Sequence, residues 1–579
     1  MKYLLTLAFL LLLIDFTVFA QPHYRKKNFT INSNKSLFSI QEKRIAIPNS
    51  LMRGKPSDVN SDTLVKLWRN ILNTDTINYA YAVATDHQGN VYVTGATGSV
   101  ESSFDFLTVK YSSDGLLQWS SRYNSGGTND DQAYAITVDS HGNVYVTGRS
   151  HRGPTSYDYT TIKYNYDGSV QWIAIYAGQA GSDQPTAIAV DNSGNVIVTG
   201  MSRALAPSFG MDYATVKYDS NGVQKWVARY NGPTGSDDRP TALRVDDSGN
   251  IYVTGMSENG AMDYDYATIK YSASGERLWV ARYNGSGDFF DMAFDLTLDR
   301  YGNVIVTGGS TGLDLSTDFV TVKYDSLGVQ QWVARYTGPP EVDLDASSVV
   351  SDSEGNIYVT GNSAGTYFTL KYNSQGILQW ETSHIGSDTP PIIRIDKTGD
   401  LFVAGSQIIS TGNYDFLILH YNVSGELHQV ITDDGGNNSI DVCEAFILDN
   451  DGNLIITGWG TNDAVLAYPS WWITFKYRQS NVSDVTRNNE VADVFELYQN
   501  YPNPFNQTTT IKFTIQISGF VSLKVYNLLG QEVAILVNRE LENGQHKVVW
   551  NAENIPSGVY IYRLNAGNLI KSKRMLFLK

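Results

Sequence analysis

The 579-residue chain has one cysteine, Cys443, so it cannot form an intrachain disulfide or a Cys-based zinc site. Basic residues are also scarce: 43 Lys and Arg stand against 59 Asp and Glu, a net charge of −16. That balance excludes the basic face a nucleic-acid groove needs. The eight histidines (23, 87, 141, 151, 384, 420, 428 and 546) are scattered, with none paired at metal-ligand spacing. No window repeats at the helical period, and no G-x-S-x-G elbow, P-loop or dinucleotide fingerprint is present. The single long apolar run, Leu4–Ile14, is shorter than a spanning helix requires. It follows Lys2 and precedes Val18-Phe19-Ala20, which reads as a signal peptide over 1–20 cut before Gln21. Any membrane engagement is then transient, through that peptide alone.

What the chain has in abundance is glycine, 50 residues, and tyrosine, 37. Both suit short strands joined by tight turns. The glycines fall into a repeat. D-x-x-G-N, an alternating apolar run and T-G begin at Asp86, Asp139, Asp191, Asp246, Asp299, Asp352, Asp396 (as D-K-T-G-D…A-G) and Asp449. Successive spacings are 53, 52, 55, 53, 53, 44 and 53 residues. A second block ends in Lys-Tyr at 110–111, 163–164, 217–218, 270–271, 323–324, 371–372 and 476–477, with His420-Tyr421 as the variant. A tryptophan follows at 119, 172, 226, 279, 332 and 380, with Gln429 in the variant repeat.

Each repeat thus holds four short strands. The first leads into the turn Asp, the second is the V-Y-V-T-G run, the third ends at Lys-Tyr and the fourth carries Trp. Asp bonding its own backbone two residues on, with Gly in the left-handed position, makes D-x-x-G-N a hairpin turn. Four antiparallel strands per repeat predict an all-β propeller, with eight blades over 62–480; the short sixth spacing keeps seven as the alternative. The eighth repeat stops at Tyr477 without a fourth strand, while Leu64–Trp68 resembles one and Trp68 lies 18 residues before Asp86. This N-terminal strand is expected to complete the last blade and close the ring, removing free edges. Residues 21–61 read as an N-terminal extension and 481–494 as a polar linker. Residues 495–579 read as six alternating strands of an Ig-like β-sandwich.

The two ends of such blades differ. Turns within the first and second hairpins are short and uniform. The opposite loops vary (Gly98–Ser103, His151–Ser156, Arg203–Met211 and Asn259–Asp263), which marks that face for recognition. On the same face, eight residues before each turn Asp, stand Asp131, Asp183, Asp238, Asp291, Asp388 and Asp441; Asn78 and Leu344 replace it in the first and sixth repeats. These carboxylates either cap their own loops or ring the channel mouth and hold a divalent cation such as calcium. A second series, Asp105, Asp158, Asp212, Asp265, Asp318 and Asp415, precedes the third strands and reads as blade-local hydrogen bonding. The Trp and Lys series read as packing between blades, with the Lys stem over the Trp ring.

The D-x-x-G-N-x-Y-V-T-G pattern resembles a bacterial β-propeller repeat family, a likeness that implies architecture and no shared reaction. The block Tyr501-Pro502-Asn503-Pro504-Phe505, then Gly530, Gly558 and the basic Lys571 and Lys573, is similar to the C-terminal sorting domain (type A) of the type IX secretion system of Bacteroidetes-like bacteria. That resemblance implies contact with the type IX machinery, passage through the periplasm and an extracellular or outer-membrane surface location. The expected role is a surface binding module for a glycan or protein ligand, not an enzyme. The competing readings are a structural surface-layer component and a propeller enzyme of hydrolase or quinoprotein type. D-x-x-G-x-x-x-W at Asp219 to Trp226 resembles quinoprotein blades, whose usual cysteine pair a lone Cys443 cannot supply.

Overall fold

The computed structural model describes residues 63–480 and 496–579, apart from short stretches at 75–76, 100–102, 127–128, 152–155, 206–209, 261–262, 288, 340–342, 411–412, 436–439, 462–469, 501, 516–518, 528–530, 542–543, 554 and 567–568. The expected signal peptide, N-terminal extension and linker lie outside the described residues, as do Tyr501 and Gly530. All named elements are strands, and none of the described residues forms a helix long and apolar enough to cross a membrane. Two compact units are present. The larger includes Trp68–Arg478 and the smaller Gln479–Lys579.

In the larger unit, four consecutive strands make each antiparallel sheet. The first sheet is Ile77–Thr85, Val91–Gly98, Asp105–Tyr111 and Leu117–Tyr123, paired in that order. Five more follow the same plan, with first strands Asp131–Val138, Asp183–Val190, Asp238–Val245, Asp291–Leu298 and Asp345–Ser351. The last two groups, opening with Ile392–Ile395 and Ile440–Leu448, are joined into one eight-stranded sheet by a single parallel bridge, Tyr414 to Ile440. The final group has three strands of its own, and Thr63–Leu72 pairs with its third, Ser470–Ser480. The N-terminal strand therefore supplies the missing fourth strand. Each first strand touches the first strand of the next repeat, and Ile440–Leu448 touches Ile77–Thr85, so the series returns on itself.

The T-G of the repeat has a steric cause. Two to four residues after the position of Asp131 at the loop-side end, each full-length first strand carries a β-bulge, as between Ala133 and Ala135. The bulge pushes a carbonyl onto the second strand. A Cβ at Gly148 would sit 2.0 Å from the Gln132 carbonyl oxygen, and one at Gly255 2.1 Å from that of Arg239. Only glycine fits.

Between repeats the tryptophans dock on the turn joining the next repeat's third and fourth strands. Trp119 Nε1 donates to Tyr166 O, Trp172 to Ser220 O, Trp226 to Ala273 O, Trp279 to Ser326 O, Trp332 to Ser374 O and Trp380 to Val423 O, all at 3.0–3.3 Å. The turn glycine lies flat on the ring: at Gly222, φ +81°, a Cβ would meet the Trp172 indole at 2.7 Å. Lysines 110, 163, 217, 270 and 371 donate to the same carbonyls, at 3.2–3.3 Å. Trp68 continues the series, donating to Ser113 O at 3.0 Å beneath Gly115. The variant seventh repeat now has a reason. The eighth repeat lacks a turn between its third and fourth strands, because its fourth strand comes from the other end of the chain. Gln429 has no turn to dock on, and His420 instead stacks on Phe402 (centroids 4.6 Å) with Nε2 3.1 Å from Asp400.

The smaller unit has two sheets around one core. One holds Glu496–Leu497, Thr508–Ile515 and Gly544–Asn551; the other holds Glu532–Leu541, Gly519–Tyr526, Gly558–Ala566 and Leu569–Phe577. Their inner faces bury Ile511, Phe513 and Trp550 against Val521, Leu523, Tyr562, Leu564 and Phe577. Glu496–Leu497 is a strand the two-residue alternation did not reveal, being too short to show a period.

Candidate ligand site at the loop face

The chemistry available to the larger unit differs between its two ends. At the turn end, each turn Asp is saturated. Asp139 accepts from the backbone N–H groups of His141 and Asn143 (both 2.9 Å), the Asn143 amide (2.8 Å) and the Tyr145 hydroxyl (2.9 Å). Where the second strand carries Tyr (92, 145, 252 and 358), its hydroxyl reaches the Asp. Where it carries Ile, Lys takes the place: Lys217–Asp191, Lys323–Asp299 and Lys476–Asp449, each at 2.9 Å. Burial would raise the carboxyls of Asp139, Asp191, Asp246 and Asp299, but the Asn amides and the other donors outweigh it and hold them below the usual carboxylate range.

At the loop end, Asp131, Asp183, Asp238, Asp291 and Asp441 are buried at or next to the start of their first strands. Each of the first four turns to the loop before it. Asp131 accepts from Ser125 N (2.7 Å) and Oγ (2.8 Å), Asp183 from Gly178 N (2.5 Å), Asp238 from Gly232 N (2.6 Å) and Asp291 from Gly285 N. Burial dominates here, pushing Asp183, Asp238 and Asp291 up to about 6. Asp441 rises to about 8, through burial and then the charges of Asp415, Asp434 and Asp433. Asp388 is not part of this set: it is exposed and lies outside any strand, because the seventh repeat's first strand is shortened to Ile392–Ile395. Asn78 takes its position in the first repeat, bonded to Ser470 (N to Oγ 2.9 Å, Nδ2 to O 2.9 Å), and Leu344 is fully buried in the sixth. Among the described residues no three His, Cys, Asp or Glu side chains are placed to hold a metal ion together.

Four members of the second carboxylate series pair with an arginine on the fourth strand of the same repeat. Asp212 pairs with Arg229 (2.9 Å), Asp265 with Arg282 (2.8 Å), Asp318 with Arg335 (2.6 Å) and Asp105 with Arg122. Arg229 and Arg282 also donate to the preceding repeat, at Tyr176 (3.1 Å) and Tyr230 (2.8 Å). Of the variable loops, the fourth repeat's is tighter than the sequence pattern indicates, since Asn259, Gly260 and Asp263 are already in strands.

A cluster that the repeat pattern conceals lies at the loop end of repeats eight, one and two. Trp459, near the end of Leu454–Thr461, meets Tyr79 edge-on (centroids 5.2 Å). Tyr79 also meets Phe104 (6.0 Å) and stacks beside Tyr81 (6.1 Å), and Tyr81 meets Tyr134 (5.9 Å). Arg149 lies 5.9 Å from the Tyr134 ring and 4.5 Å from the Tyr157 ring, with His151 edge-on to Tyr157 at 5.0 Å. All of these rings are half-buried. Polar groups sit between them. Gln132 Oε1 accepts from Tyr134 (2.7 Å) and Arg149 (3.2 Å), and Glu444 accepts from Trp459 Nε1 (2.9 Å). The signal in the sequence was a departure, not a repeat: the column of Tyr79 reads Gln132, Gln184, Arg239 and Met292 in the next repeats, and that of Trp459 reads Ala96, Arg149, Met201 and Met256.

In the smaller unit the sorting motif is core and strand edge. Phe505 is buried between Trp550 (5.7 Å) and Phe577 (5.0 Å), and its N–H donates to Leu576 O at 3.0 Å. Asn503 accepts from Leu576 N (2.8 Å), Pro502 O accepts from Asn500 Nδ2 (3.1 Å), and the Asn503–Pro504 peptide is cis. Gly558 pairs with Phe577, and Lys571 and Lys573, half-buried, share one face of the last strand.

These features define an all-β, propeller-like repeat protein with a separate C-terminal domain. Residues 499–578 match the family model of the secretion system C-terminal sorting domain, and residues 118–153 and 331–368 match that of the beta-propeller repeat. The chain is a β-propeller repeat protein carrying a type IX sorting domain, and that domain marks it for export to the surface or beyond. A curated relative, an uncharacterized WD repeat-containing protein of Acanthamoeba polyphaga mimivirus, is 23% identical over 330 residues. The match covers 52% of this chain and 20% of that protein, so the chain spans about a fifth of the relative's length. Among solved structures, PorZ, a surface component of the type-IX secretion system of Porphyromonas gingivalis, is similar at TM-score 0.36 and 13% identity, over 86% of this chain and 70% of its own. A protein of unknown function from Dyadobacter fermentans is similar at TM-score 0.37 and 9% identity, over 72% and 99%.

Proposed function

We propose that this protein is an extracytoplasmic binding module without catalytic activity. Its larger unit is a closed eight-bladed ring that presents the loop face to a ligand, and its smaller unit is an immunoglobulin-like sandwich read by the secretion machinery. The single observation that supports this reading is the division between the two ends of the repeats. At the turn end the repeated side chains are consumed by one another, in Asp–Asn–Tyr or Asp–Lys sets and in Trp docking. At the loop end, beside the buried and recurring aspartates, the ring cluster departs from the repeat and stays half-buried. Recognition belongs where the scaffold leaves residues free to vary. In this reading the loop-end aspartates are caps, and no calcium is required. Residues 1–20 direct passage across the inner membrane and 495–579 across the outer one. Removing 495–579 in a host with a type IX system is expected to leave the protein in the periplasm, as read by fractionation and by protease treatment of intact cells. A truncated protein reaching the surface at the full-length level would refute the export route.

A further inference from the structure

We propose that the ring cluster Trp459–Tyr79–Tyr81–Tyr134, continued by Arg149 and Tyr157, is a platform for a neutral polysaccharide, an assignment that rests on the loop face being the recognition face. The first argument is continuity. Successive rings lie 5.2–6.1 Å apart across three repeats, in mutual contact at interplanar angles of 14–85°, and form one unbroken aromatic lining against which sugars can pack. The C–H faces of a pyranose pack on aromatic faces, while its rim of hydroxyls demands hydrogen-bonding partners alongside.

The second argument is the chemistry between the rings. Gln132, Gln184, Arg149 and Glu444 place amide, guanidinium and carboxylate groups beside the rings, and the ring tips of Tyr134 and Trp459 orient two of them. Arg149 Nε is buried without a hydrogen-bond partner, leaving one donor of the guanidinium unspent among the rings. A buried donor without a partner costs free energy, which a sugar hydroxyl accepting from Arg149 Nε would relieve. The third argument is charge. Arg149 and Glu444 act on Tyr81 with opposite sign, Asp130 adds a negative charge beside Tyr134 and Tyr157, and the chain's net charge of −16 repels polyanions, which selects a neutral chain over an acidic one or a nucleic acid.

The test uses the full-length mature protein in native affinity gels containing laminarin, xyloglucan, galactomannan or pullulan, with chondroitin sulfate as the acidic comparison. At least one neutral polysaccharide is expected to retard the protein. Tyr79→Leu and Trp459→Leu, which keep apolar volume and lose the flat face, are each expected to weaken that retardation about tenfold. Tyr301→Ala, at an exposed turn-end ring, is expected to leave it unchanged, and thermal melting of each variant separates a lost face from a lost fold. Retardation by none of the four, or by chondroitin sulfate alone, overturns the inference while export to the surface still stands. Retardation that both Leu variants retain also overturns it, and shows a binding module whose site lies elsewhere.

Discussion

The two ends of the repeats use the same residue, aspartate, in opposite electrostatic states. At the turn end the Asp191 side chain is largely covered by Lys217 and held low by the Asn195 amide, Lys217 and backbone N–H groups. At the loop end Asp238 is fully buried and meets a Gly N–H and a serine in place of a cation, and burial wins, carrying it to about 6. The turn end is therefore electrostatically settled, and the loop end stores unfavourable charge at neutral pH. A repeat spends its best-paired groups where neighbours must lock and leaves the costlier geometry where sequence varies.

Asn substitutions sharpen this contrast most. Asp191→Asn keeps the shape and the backbone hydrogen bonds but strands a buried Lys217, with its ammonium 2.9 Å from the lost charge. Breaking a buried pair in this way is expected to cost about 3 kcal/mol in urea unfolding at pH 7. Asp238→Asn removes a carboxylate the fold holds at a disadvantage, so the same measurement is expected to change by less than about 1 kcal/mol. Equal losses at the two sites would break the comparison.

The pH profile tests the same contrast with a smaller effect per group. For Asp183, Asp238 and Asp291 the folded pKa of about 6 lies above the ordinary 3.8, so the folded state binds more protons than the unfolded one between these values. Stability then rises as pH falls from about 7 to about 4, by of the order of 2 kcal/mol for each group. Asp139, Asp191, Asp246 and Asp299 are shifted the other way, so their contribution is present above 3.8 and lost as pH falls below it. The expected profile has its maximum between these limbs. Combining Asp183→Asn, Asp238→Asn and Asp291→Asn reduces the upper limb to the share of Asp441, raised to about 8, and leaves the acid limb in place. An unchanged upper limb in that variant would refute the assignment.

Much of this was legible in the sequence. The turn Asp, the T-G glycines and the lone strand at Trp68 recur at fixed spacing, and recurrence is what a backbone requirement looks like in one chain. Asp388 shows where spacing misleads. Its distance from Asp396 is correct, but the shortened first strand leaves it exposed, because spacing counts residues and not hydrogen bonds. The ring cluster was illegible for a different reason. Tyr79 and Trp459 meet only because the series returns on itself, and they belong to positions that other repeats fill with unrelated residues. Alignment on the repeat discards just such positions. The Arg clamps fell between these cases: Arg229, Arg282 and Arg335 recur, but Ile175 and Thr432 interrupt them, so their pairing with the second Asp series needed the strand register.

The smallest expected effect concerns the seventh repeat, where the turn end itself departs from its rule. If tryptophan stabilised each repeat through its own sheet, restoring it with Gln429→Trp would strengthen the protein. The docking geometry says otherwise. Every tryptophan of the series gives its indole N–H to a carbonyl of the following repeat and lies under that turn's glycine, as Trp380 does with Val423 and Gly425. The eighth repeat offers no such turn, since Ser470–Ser480 is followed in space by Thr63–Leu72 from the opposite end of the chain. A new indole at 429 would lack the turn carbonyl and glycine ledge that receive the other tryptophans. Gln429→Trp is accordingly expected to change unfolding free energy by less than about 0.5 kcal/mol, the range of an ordinary surface substitution. The reverse change, Trp380→Gln, removes a docked ring and is expected to cost about 2 kcal/mol. A gain at 429 comparable to the loss at 380 would show that tryptophan acts within its own sheet, and that the variant repeat drifted for some cause other than the split eighth repeat.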